Sequence, residues 1–142
     1  MQSPRSRPMA ILTLVLAGLS IAPASPTASS TAANPSPLAE ARYRSALKQY
    51  EITWSYYQQA RIDSYQVYVW SRLVLDARRD LGAKPADQIV ALEEHLARMR
   101  KLEELVLKIR RLGFGRSYDV GATEYYRLEA ELWLVRATGK QD

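Results

Sequence analysis

The sequence predicts an all-α protein in which antiparallel helical hairpins form a four-helix bundle of coiled-coil character, preceded by a signal peptide and a disordered linker. Three observations carry that prediction. Apolar residues recur in alternating steps of four and three, as in Tyr43, Leu47, Tyr50, Trp54 and Tyr57, which places them on one helical stripe. Glycine and proline fall between such stripes, at Leu81-Gly82 with Pro85 and at Gly113-Phe114-Gly115, where they stop and restart helices. Hydrophobic residues make up 47% of the 142 positions, enough for one packed core and not comfortably for two.

Residues 1–24 read as a secretory signal peptide. Arg5 and Arg7 supply a positive start, Met9 to Ala22 is an apolar run of 14 residues, and Ala22-Pro23-Ala24 fits a small-x-small cleavage site. The run is short for a membrane anchor, which needs about 18–20 apolar residues as a helix. Residues 25–37, Ser/Thr/Ala/Pro-rich and uncharged, have too little apolar surface to order themselves and read as a linker. The bundle is expected over 38–138.

The first helix is expected over 38–60. Ser36 can accept from its free N–H groups, and Pro37 at its first position loses no hydrogen bond. A second helix is expected over 64–81, with the stripe Val67, Trp70, Val74, Ala77 and Leu81. The turn between them is weakly marked, because Arg61-Ile62-Asp63 contains no glycine, and one long helix through 38–81 is the competing reading. The third helix, 86–112, carries Leu92, Leu96, Met99, Leu102, Leu105, Ile109 and Leu112. On its polar face Glu94 with Arg98 and Glu104 with Lys108 have the favourable i,i+4 order. Ser117 is a candidate N-cap for the fourth helix, 117–137, and Asp119 in the first turn suits the helix dipole. That helix is apolar nearly all round, so it is expected to touch more than one neighbour.

A shift of 53 residues lays Ser64–Leu81 on Ser117–Leu134, where Ser, Tyr, Val, Ala and the final Leu coincide and Asp76-Ala77 meets Glu129-Ala130. A duplicated helical hairpin with turns near 61–64 and 113–116 explains the match. Around the second copy, Gly113, Phe114, Ser117, Asp119, Val120, Glu129, Ala130, Glu131 and Leu132 resemble the periplasmic coiled-coil hairpins of the TolC-like outer-membrane efflux protein family. The resemblance implies hairpin architecture, an envelope location and a turn that meets a partner protein. It does not carry over transport. The chain lacks the alternating segments of about 9–11 residues that a membrane β-barrel needs.

Catalytic chemistry is poorly represented. There is no cysteine, hence no disulfide, thiolate metal site or lipid attachment to cysteine. His95, the one histidine, follows Glu93-Glu94 and reads as a solvated side chain. Without a second histidine a metal site would rest on carboxylates almost alone. No catalytic residue, cofactor or metal is therefore expected. The net charge of +5 falls to +3 when Arg5 and Arg7 leave with residues 1–24, and bases and acids interleave, which argues against nucleic acid. The off-stripe tyrosines, including Tyr56, Tyr65, Tyr68 and Tyr118, gather near the turns with Phe114. The candidate protein-contact set is Arg61, Tyr65, Phe114, Arg116, Tyr118 and Asp119, aromatic residues and arginines of the kind that anchor interfaces. The expected function is non-enzymatic coiled-coil association in the periplasm or envelope, with itself as a homo-oligomer or with a coiled-coil partner, and with peripheral envelope attachment. The alternative is a ligand-binding helical bundle for a lipid, aromatic or cell-wall glycan ligand, in which Trp54, Trp70 or Trp133 would report binding.

Overall fold

The computed structural model describes residues 35–82 and 84–139, so the segment read as a signal peptide and most of the linker lie outside the described residues. The described chain is all-helical: 84% of it is helix, and it contains no strand. Four helices follow one another: α1 (Pro37–Gln58), α2 (Ser64–Arg79), α3 (Pro85–Arg111) and α4 (Ser117–Thr138). None of them is long and apolar enough to cross a membrane.

Local chemistry explains most of the boundaries. Ser36 Oγ accepts from Ala39 N at 3.1 Å, with Pro37 in the first turn of α1. The helix ends at a break over 59–63, where Ala60 takes a left-handed φ of 56°. Asp63 then caps α2 by accepting from Gln66 N at 3.2 Å. A single helix through 38–81 does not form, because a left-handed residue and a new cap interrupt it. Pro85 opens α3, which ends on Lys108, Arg110 and Arg111, cations suited to its negative pole. Gly113 and Gly115, at φ 82° and 80°, then turn the chain as only glycine does without strain. At the start of α4, Arg116 holds the cap position without a side-chain bond to the helix backbone, and Ser117 is already helical, so Ser117 is not the cap.

Side chains from all four helices meet in one cluster: Ala46, Tyr50 and Tyr57 from α1, Val67 and Val74 from α2, Met99 and Leu102 from α3, and Ala130 from α4. The α2 helix touches each of the others, and α3 also packs along α4. Polar ties follow these contacts. Arg42 pairs with Asp80, Gln88 bonds Arg79, Arg127 Nε lies 2.6 Å from Glu103 Oε2, and Arg100 lies 2.9 Å from Glu131. The expected helix-surface pairs give way to tertiary partners: Glu94 lies 3.8 Å from Arg78 rather than bridging Arg98, and Arg98 turns inward to Ser71. Glu104 and Lys108 form no ion pair among the described residues.

Candidate functional site

The turns at 59–63 and 112–116 lie together at one end. Ser64 Oγ donates to Asp119 Oδ1 at 2.6 Å, a buried bond that ties the first turn of α2 to the first turn of α4. Beside it lies a cavity of about 400 Å³, lined by Tyr57, Ile62, Ile109, Phe114, Arg116 and Asp119 among others. Phe114 is 70% exposed at its edge. Burial, with the Asp119 charge adding to it, pushes the Tyr57 phenol up to about 12, so it stays protonated.

The contact set predicted from sequence is only partly assembled here. Phe114, Arg116 and Asp119 share the cavity, whereas Arg61, Tyr65 and Tyr118 do not line it. Arg61 lies over the Tyr56 ring at 4.7 Å, and Arg116 lies over Tyr118 at 5.7 Å. Tyr65 and Tyr118 are exposed, whereas Asp119 is buried, accepts from Ser64 and borders the cavity. Tyr68 is half-buried rather than exposed. It donates to Glu129 at 2.6 Å and stacks on Tyr126 with ring centres 4.1 Å apart.

The largest departure from the sequence reading is His95. It is fully buried instead of solvated and stacks on Trp133 at 5.7 Å. Its Nδ1 lies 2.8 Å from Ser71 Oγ, which also accepts from Arg98 Nε at 2.9 Å. The other ring nitrogen, Nε2, has no partner among the described residues. Burial first, then the charges of Arg98 and Arg72, lowers the His95 pKa to about 3, so the ring is neutral at ordinary pH. Ser71 and His95 sit at the distance of a nucleophile and its base, yet both are sealed from solvent, which denies a substrate access. The described residues contain no group of three metal-ligating side chains.

A further surface lies on α4. Gly121, Tyr125, Leu128, Leu132 and Val135 are spaced four, three, four and three, and so share one face. Tyr125 is 60% exposed, Leu128 49% and Leu132 45%. Thr123 and Ala130, fully buried, mark the opposite face. No protein-family model, curated protein or solved structure matches this chain.

Proposed function

We propose that the protein is an exported, non-enzymatic component of the cell envelope that works by helix-mediated association, with a second copy of itself or with another coiled-coil protein. The exposed stripe on α4 is the observation that carries this reading. Large apolar side chains at heptad spacing, left in water, are the seam that a facing helix covers. The exposed Phe114 offers a second anchor at the turn end. Two antiparallel hairpins, α1 with α2 and α3 with α4, are the arrangement that fits the ties from the start of α1 to the end of α2 (Arg42 with Asp80) and from mid-α3 to mid-α4 (Arg127 with Glu103). Such hairpins accord with the resemblance to the periplasmic part of TolC-like proteins.

Light scattering on residues 25–142 tests the proposal. The wild type is expected to run as a dimer or larger species, and Leu128→Glu with Leu132→Glu as a monomer with an unchanged circular dichroism spectrum. A wild type that stays monomeric at high concentration, and captures no envelope protein that the double variant fails to capture, would refute it.

A further inference from the structure

A groove of about 410 Å³ opens at the far end of α2 and α4 from the glycine turn. That is the small end of the ligand-site range of about 300–1,000 Å³. Leu75, Leu92 and Trp133 supply apolar lining, and Leu75 and Leu92 are themselves buried core residues. Arg72, Arg79 and Arg136 supply three guanidinium groups against the single carboxylate of Asp76. None of the three lies within ion-pair distance of a carboxylate among the described residues, whereas Arg42, Arg78, Arg100 and Arg127 all do. Arg72 bonds only the Tyr68 hydroxyl, at 3.2 Å, and Arg79 bonds the Gln88 amide, at 2.7 Å.

We infer that this groove binds an anionic amphiphile, a carboxylate carried on an apolar chain, through the three arginines gathered around Leu75, Leu92 and Trp133. Guanidinium groups match a carboxylate geometrically, and an apolar wall at their back strengthens the attraction by excluding water. The lining also argues against a glycan. Arg72 lies 4.6 Å over the Trp133 ring and His95 stacks on the same indole, leaving little open ring face for a sugar. An aliphatic chain can lie along the Trp133 edge, Ala137 and the arginine stems that line the groove above Leu75 and Leu92. The site is separate from the outer stripe of α4 and does not depend on association.

Titration calorimetry with the full chain and sodium dodecanoate, kept below its micelle concentration, tests the inference. One dodecanoate is expected to bind per chain, with acetate and dodecanol at least about tenfold weaker, because each lacks one half of the match. Arg136→Glu should weaken dodecanoate at least about tenfold without moving the melting temperature, because Arg136 is exposed. Arg79→Ala, which also leaves the core untouched, should give a smaller loss in the same direction. Equal binding of dodecanol would overturn the inference, as would a dodecanoate affinity indifferent to both variants. An Arg136→Glu effect on oligomeric state with none on dodecanoate would assign the groove to a second copy instead.

Discussion

The two faces of α4 are both apolar and meet opposite fates. The inner face buries Thr123 and Ala130 fully and packs Tyr126, Trp133 and Leu134 against the core. The outer face presents Tyr125, Leu128 and Leu132, residues of similar size, yet half in water. Neither size nor hydrophobicity separates the two faces; what separates them is that α2 and α3 pack on one and nothing in the described chain packs on the other. A large residue needs a hole to fill, and the bundle provides none on that side.

Truncation should therefore cost stability on one side and almost nothing on the other. Met99→Ala, in the same buried cluster as Ala130, is expected to lower the unfolding free energy by about 2–5 kcal/mol in urea titrations. A cost near zero would mean that the cluster does not hold α4 in place.

Acid is expected to attack the interior beside that inner face. The folded-state pKa of His95 lies near 3, below the ordinary value of 6.5, so the stability it protects is complete above pH 6.5 and declines as pH falls. Below pH 6.5 the unfolded chain takes up a proton that the folded chain refuses, a loss approaching about 1.4 kcal/mol per pH unit. Chemical denaturation between pH 7 and pH 4 would measure it, and His95→Leu should remove this component of the slope.

Ser64→Ala is expected to cost about 1–3 kcal/mol, because Asp119 would keep a buried carboxylate oxygen without its donor. Thermal melts of the variant give the value. The smallest effects belong to the outer surface. Leu132→Ala and Phe114→Ala should each change monomer stability by no more than about 0.5 kcal/mol, and any larger change that grows with protein concentration would locate an interface there.

How much of this was legible in the sequence followed how local the determining chemistry is. Ser36-Pro37, Pro85 and the paired glycines at 113 and 115 act within a turn of themselves, and the helices they bound lie within two residues of the expected ranges. Ala60 gave no such sign, because alanine takes a left-handed φ only when its surroundings hold it there. The polar neighbours Glu93 and Glu94 point to a solvated His95 and mask a signal that is present. Leu92, His95, Met99, Leu102 and Val106 alternate three and four and are all buried. Asp119 carried no local mark of burial, since its partner lies 55 residues away. The groove at Arg72, Arg79 and Arg136 joins residues from distant segments and has no counterpart in any single stretch.

The Ser64–Asp119 bond has a consequence for how the chain opens. Each of α1 with α2 and α3 with α4 joins neighbours in sequence and can form at little loop-closure cost. The bond between Ser64 and Asp119 can close only after those two halves have met. The first turns of α2 and α4 should accordingly share one opening event in amide hydrogen exchange, with matched free energies, although one belongs to each half of the protein.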